Sequence, residues 1–296
     1  MLKHPLAPLM VLVTTCSLWG MSWMPLKFLH GQGIDGLALI FVAHAILALV
    51  FVPFTQRSQF TSTNAKYLTG IALAGGLGIF SFTYALMYGD VVRVMVLFYL
   101  LPVWGVLGGC FFLKETIDAR RWAGILIALP GAYLILGGAD MFRTPPTWND
   151  MLALLAGMSF AANNILFRGV GHVSLPAKLI AMFIGCAFIT GSLMLLGLQA
   201  FPRGVSNAAW AWLLLYTFTW LLCANIGSQW AVERMEAGRS SIIIIVQLVV
   251  AVLSAMVVGG ERLSVMEWIG CLMVVTAAVL EAQKPQPASE RLPNIL

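Results

Sequence analysis

The chain has 296 residues, 60% of them hydrophobic and 10% charged, with a mean hydropathy of +0.91. A soluble domain carries about a quarter of its residues as charges, so this composition describes an integral membrane protein and excludes a soluble catalytic or nucleic-acid-binding domain. The net charge of +5 is a topology signal: with both termini in the cytoplasm, 12 of the 17 Lys and Arg fall inside, and Lys27, Arg93, Arg143, Arg203 and Arg262 fall outside.

Crossing about 30 Å of hydrocarbon takes roughly 17 to 25 apolar residues as helix. The sequence offers ten such runs, at 8–28, 37–54, 67–88, 91–113, 121–137, 150–167, 179–200, 208–232, 240–259 and 267–282. The start, MLKHPLAPLMVLVTTC, has the charge and apolar run of a signal peptide, but Thr15 before Cys16 and the continuing apolar character argue for a retained helix. The first helix carries Trp19, Ser22 and Trp23, with the two tryptophans four residues apart and so expected on one face. The second holds His44, the one imidazole inside a span, read as a buried neutral group bonded to a neighbouring helix or as a proton-coupling group.

The third helix repeats the i, i+4 aromatic pattern with Tyr84 and Tyr88, the latter near its outer end. The fourth adds Tyr99, Pro102 and Trp104; Pro102 removes a backbone donor inside the run and predicts a kink or hinge. Gly75, Gly76, Gly78 and the Gly105 to Gly109 spacing read as places of close helix contact. The longest interruption, GGADMFRTPPTWND at 137–150, is a Pro/Gly/Asp loop. Beyond it, Asn163 on the sixth helix, Asn225 and Gln229 on one face of the eighth, and Gln247 on the ninth supply amides. Such amides bind a solute or join helices. Arg93 and Arg239 stand just ahead of apolar runs, where they serve as topology charges or as gating residues at opposite mouths. The five cysteines lie in five different spans, with no pair and no His at ligand spacing, so no metal or cofactor is expected.

KETIDARRWAG at 114–124 returns as GERLSVMEWIG at 260–270: Glu261, Trp268 and Gly270 each follow Glu115, Trp122 and Gly124 by 146 positions. In the same frame Asp118 meets Ser264, both candidate helix N-caps, and Ser264 with Glu267 has capping-box spacing. This predicts an internal duplication of five helices. Five crossings are odd, so the second copy enters from the opposite face and the halves are related by a pseudo-two-fold axis in the membrane plane. The expected fold is therefore all-α and polytopic, ten transmembrane helices as two inverted repeats, 1–138 and 149–282, with a periplasmic linker at 139–148 and a cytoplasmic tail at 283–296.

The ten spans, the doubling, the early Trp19-Gly20, and FYLLPVWGVLGGCFFLKE with Pro102 and Glu115 against VQLVVAVLSAMVVGGE resemble the drug/metabolite transporter superfamily, and within it the EamA-type exporters, over about residues 8–282. The ninth helix departs from the pattern, with Leu248 opposite Pro102. The resemblance implies a small-molecule carrier whose cavity is formed mainly by helices 1, 3, 4, 6, 8 and 9.

Aromatic walls, several amides and no midplane carboxylate suit a neutral or zwitterionic amphipathic solute such as an amino acid, or a flat cation held over aromatic faces. The leading expectation is a secondary transporter of the bacterial-type inner membrane that exports such a metabolite by alternating access. No GxxxxGK[ST] motif is present. Expected partners are the solute and the lipid bilayer, not nucleic acid, with a homodimer left open. A polytopic enzyme would need a juxtamembrane cluster of His, Asp or Glu, and His4, His30 and His172 are dispersed. A helper subunit or channel is the third class.

Overall fold

The computed structural model describes residues 6–34, 36–88, 94, 97–115, 118–135, 138–139, 145–259 and 264–282. Arg93, Glu261, residues 140–144 of the 139–148 linker and the 283–296 tail lie outside them, as do the side chains of Tyr88 and Arg120. Among the described residues the chain is all-helical. It runs as α1 (Ala7–Gly20, continued by Trp23–Gly31), α2 (Gly36–Phe51), α3 (Ser62–Tyr88), α4 (Leu101–Leu113), α5 (Ala119–Ile135) and α6 (Trp148–Gly169). It goes on as α7 (Leu175–Leu195), α8 (Asn207–Leu215, a π-helical stretch Tyr216–Leu221, then Leu222–Glu233), α9 (Ala237–Ile244, then Val246–Gly259) and α10 (Val265–Ala282). Seven of the described spans are long and apolar enough to cross a membrane, and the helices at 101–113, 121–135 and 265–280 are shorter apolar pieces.

The helix starts follow local chemistry. Asp118 Oδ1 accepts the Arg121 N–H at 2.9 Å and caps α5. At the position 146 residues on, Ser264 and Glu267 close a reciprocal box, with bonds of 2.5 and 3.3 Å, at the start of α10. Thr147 and Asp150 do the same for α6. Each cap satisfies donors that have no partner inside the helix.

Packing shows the duplication directly. If helix n corresponds to helix n+5, the α1–α8 contact should reappear as α6–α3 and α1–α9 as α6–α4, while α2–α7, α4–α9 and α5–α10 should map onto themselves. All of these pairs are in contact. The chain is an all-helical polytopic membrane protein of two inverted five-helix repeats.

The two buried cores do not coincide with the two repeats. One joins α1, α2 and α3 to α7 and α8, through residues such as Leu12, Leu47, Ile71, Phe183 and Leu213. The other joins α4 and α5 to α9 and α10, through Val106, Ala128, Leu248 and Val274. Phe160 on α6 and Ile244 on α9 pack against both.

In lipid, helices are held by close contact rather than by hydrophobic burial, so small residues mark the crossings. A Cβ on Gly105 would stand 2.6 Å from Ser241 Cβ on α9, and one on Gly76 would stand 2.7 Å from the Gly185 backbone on α7. Gly78 faces the Phe160 ring, and Gly75 faces Met182 and Asn163. These glycines are contact positions, as their spacing predicts.

Candidate functional site

Four helices are interrupted, and the interruptions meet. In α1 the ladder tightens after Gly20: the Ser22 N–H bonds Trp19 O at 3.1 Å, leaving Leu18 O without its usual i+4 donor. That carbonyl is taken by the Trp220 indole of α8, Nε1 to O at 2.9 Å. Trp220 reaches it from the π-helical stretch Tyr216–Leu221, a widened turn that re-aims side chains and is common at functional sites. Trp19 and Trp23 therefore do not share one regular helical face. Trp19 packs into the larger core, whereas Trp23 Nε1 donates to Ser254 Oγ of α9 at 2.9 Å. Ser22 Oγ is spent on Trp19 O at 2.7 Å.

The other two interruptions are equivalent in the 146-residue frame. Tyr99 and Leu100 form a turn between helical Leu97 and Phe98 and the start of α4 at Leu101, and Ile245 forms one within α9. Each is bridged by an i+3 bond, one residue out of register in that frame: Val103 N–H to Leu100 O at 2.9 Å, and Leu248 N–H to Ile245 O at 2.9 Å. Pro102 is accordingly not a mid-helix residue. It occupies the first turn of α4, where a missing N–H costs nothing. The ninth helix breaks at the matching place although Leu248 stands opposite Pro102, so proline is not what causes the interruption.

The Gln247 side chain, just past the α9 break, comes within hydrogen-bonding reach of the Tyr99 hydroxyl at the α4 break, with Cys16 of α1 close by. Gly20, at the α1 break, backs directly onto the Gln247 carbonyl, and a Cβ there would stand 2.9 Å from Val250 Cβ. Thus α1, α4 and α9 converge on one polar pair contributed by both repeats, with α8 held to α1 by Trp220. None of the residues at this meeting point carries a charge.

The remaining candidates divide. Asn225 Nδ2 donates to Leu221 O at 2.8 Å, where the π stretch ends. Gln229, one turn further, is buried, and its Oε1 has no partner among the described residues; the same is true of Trp104 Nε1 on α4. Asn163 is fully buried with neither polar atom bonded among the described residues, and it faces Gly75, beside Met182, in the α3–α6–α7 contact. Tyr84 packs in a separate cluster with Phe80, Leu97 and Ala153. Tyr88 ends α3, with its side chain outside the described part, and Arg93 lies wholly outside it. His44 Nδ1–H donates to Ile40 O of its own helix at 2.8 Å beside Phe183, not to a neighbouring helix. Among the described residues no three His, Cys, Asp or Glu side chains gather as a metal site would need. Trp220 and Ser254 are the residues that sequence reasoning missed: neither the π stretch nor a 231-residue-distant serine leaves a local signal.

A second polar region lies at the end where α2 meets α3, α4 meets α5, α6 meets α7 and α8 meets α9, here called the basic end. Lys178, fully buried, bonds Glu233 Oε1 at 2.6 Å and Phe167 O at 2.7 Å, and Arg168 donates to Glu233 O at 3.1 Å. Arg121 bonds Glu236 and stands 3.8 Å from Glu115. Glu115 accepts the Ala237 and Gly238 N–H groups. Burial pushes the Glu115 carboxyl above its ordinary range, against the pull of those two N–H groups; nearby Glu236 adds to the rise and Arg168 opposes it. Arg239 is buried in the first turn of α9 rather than standing at an open mouth.

Comparison with known proteins agrees with this architecture. The chain matches the EamA-like transporter family twice, at residues 6–137 and 147–281. It is similar to a probable terminal-alkyne amino-acid exporter of Streptantibioticus cattleyicolor, 28% identical over 263 residues and 84% of each chain. It is also similar to the uncharacterized transporter YoaV of Bacillus subtilis, 20% identical over 89% of this chain and 92% of that one. A solved crystal structure superposes with a TM-score of 0.78 at 16% identity, covering 95% of this chain and 99% of the other, which bears on the fold alone. Two family matches, one per repeat, together with ten helices in inverted halves, leave one assignment: the chain belongs to the EamA-like transporter family, within the drug/metabolite transporter superfamily, and is a membrane transporter rather than an enzyme.

Proposed function

We propose that the protein is a secondary transporter that exports a small amphipathic metabolite, an amino acid or a related compound, across the inner membrane by alternating access. The observation that carries this reading is the uncharged meeting point of three broken helices, where Tyr99 and Gln247 meet across the two repeats and Trp23 bonds Ser254 two turns further along α9. Discontinuous helices at a repeat interface are where carriers of inverted topology bind their solutes, because broken ladders free backbone groups for a ligand. A phenol and an amide recognise ammonium, carboxylate or hydroxyl groups without demanding net charge. The relative from Streptantibioticus, named as an amino-acid exporter, favours the same solute class.

The site is assigned to Trp19, Ser22, Trp23, Tyr99, Trp104, Asn225, Gln229 and Gln247, with Asn163 and Tyr84, which pack in other clusters, kept as candidates for a separate stage of the solute's path. Both termini are assigned to the cytoplasm from the excess of Lys and Arg at the basic end, and the repeats to 1–138 and 149–282. A flat organic cation is the second solute class, supported by Trp19, Trp23 and Trp220 around one helix break.

A thermal-shift screen of purified protein against amino acids, amines and dyes, followed by counterflow of the best hit in proteoliposomes, tests the proposal. Tyr99→Phe and Gln247→Ala should each weaken the hit by about 5- to 30-fold, the cost of one or two buried hydrogen bonds. A solute transported equally well by both variants would place the site elsewhere.

A further inference from the structure

Several contacts tie one repeat to the other at the basic end, including Gln59 Oε1 to the Ser174 N–H at 2.9 Å and His172 Nε2 to Asn64 Oδ1 at 3.0 Å. The contact made by Glu115 is built differently from these loop bridges. α4 stops with Lys114 in the left-handed conformation (φ 55), and the Glu115 N–H turns back to Gly109 O at 3.1 Å. The reversal folds Glu115 over the last turn of its own helix. Gly109 makes the room: a Cβ there would stand 2.7 Å from Glu115 Oε2. The two carboxylate oxygens then accept the opening donors of α9 in the other repeat, Ala237 N–H at 2.8 Å and Gly238 N–H at 3.3 Å. Only 9% of the side chain is exposed. Arg121 grips the same helix start through Glu236, the residue before Ala237.

This arrangement has the properties of a fastening that can be undone. Apolar packing between α4 and α9 would be a permanent weld, because nothing replaces it when the helices part. A carboxylate and a guanidinium lose charge-assisted bonds on parting but regain water, so the two states stay close in free energy. Directly behind the contact, Ser241 on α9 is fully buried against Gly105 on α4. Parting the helix start from the elbow uncovers it.

We propose that the Glu115 carboxylate, seated on Gly109, is an inter-repeat latch that holds the start of α9 on the α4–α5 elbow, keeps the basic end shut, and is released when that end opens. The latch rests on the alternating-access reading, but it is testable without a substrate. The parent for the test has the two exposed thiols removed by Cys110→Ser and Cys223→Ser, and a thiol placed by Ser241→Cys. Purified protein in lipid nanodiscs is treated with a charged maleimide. The thiol at 241 should label slowly in the parent and about tenfold faster or more in both Glu115→Ala and Gly109→Ala, since each removes two charge-assisted bonds. Rates within about twofold of the parent in both variants would overturn the latch. Reaction at buried Cys186 reports unfolding; if Glu115→Ala shows it, Glu115→Gln, which keeps the volume but turns one acceptor oxygen into a donor against two N–H groups, is judged by the same threshold. A protein that transports nothing yet labels as expected keeps the latch and loses the proposed function. One that transports but labels alike in every variant keeps the function and loses the latch.

Discussion

The contacts α3–α7 and α8–α2 occupy equivalent places in the two-repeat frame, yet they differ sharply. α3 lies close along α7, with Ala72, Gly76 and Gly185 meeting backbone to backbone, whereas α8 touches α2 only sparingly through Asn207–Leu215. The positions 146 residues away explain the difference: Phe218, Leu222 and Leu39 stand where the close pair has Ala72, Gly76 and Gly185. Small residues let α3 and α7 close, whereas the equivalent positions of the other pair carry bulk, with Phe218 facing outward. The ion pairs follow the same asymmetry, since Lys178 and Glu233 correspond to Gln32 and Met87. Two halves with one architecture have thus been given unlike fastenings, and the fastenings gather at the basic end.

The largest way to break this comparison is Lys178→Met. It leaves Glu233 buried beside Phe167 with its main partner gone, and thermal unfolding in detergent should show a loss of about 3–5 kcal/mol. Most of that loss should return in the double variant with Glu233→Leu, because a buried ion pair is replaced by apolar residues at little cost. Gly185→Ala comes next: its Cβ would stand 2.7 Å from Ala72 Cα, and the overpacked crossing should cost about 1–3 kcal/mol. Capping is the control for equivalence. Asp118→Ala and Ser264→Ala should each cost about 0.5–2 kcal/mol, nearly alike, since this is one place where the repeats do share a device.

The smallest expected effect is on the pH slope. The folded-state pKa of Glu115 lies above its reference value of 4.5, so its contribution is fully present below about pH 4.5 and is lost as pH rises through the elevated pKa. The charged groups that face it are Arg121, Glu236 and Arg168. Thermal stability measured from pH 4 upward should therefore fall more steeply in the native protein than in Glu115→Gln, and identical slopes would show that the carboxylate is solvated.

What could be read from the sequence was whatever depends on runs and on fixed spacing. The ten spans follow from apolar length, and the caps at Asp118 and Ser264 follow from residue type and a constant offset. Tyr99 and Gln247 were recognisable as polar groups at depth, but their pairing depends on two helix breaks facing each other, and the break at Ile245 has no proline to announce it. Pro102 misled about position because a proline inside an apolar run looks the same whether it bends a helix or begins one. Bonds such as Trp220 to Leu18 and Lys178 to Glu233 join residues 202 and 55 positions apart, and nothing local records which partner a side chain will find. Asn163 shows another limit: its depth was legible, but not that it would face Gly75 at a helix crossing.

Because each core draws on both halves of the chain, synthesis has a consequence for the growing polypeptide. When the ribosome has delivered α1 to α5, neither core can be finished: α1 to α3 still lack α7 and α8, and α4 and α5 lack α9 and α10. The nascent first half must wait in the bilayer with Gly131 and Gly76 facing lipid, until the later helices arrive and interleave. Assembly in the membrane then waits on the second half, the first core closing with α7 and α8 and the second with α9 and α10, and halves made as separate polypeptides in one cell should find each other and restore the bundle, while neither half should persist alone.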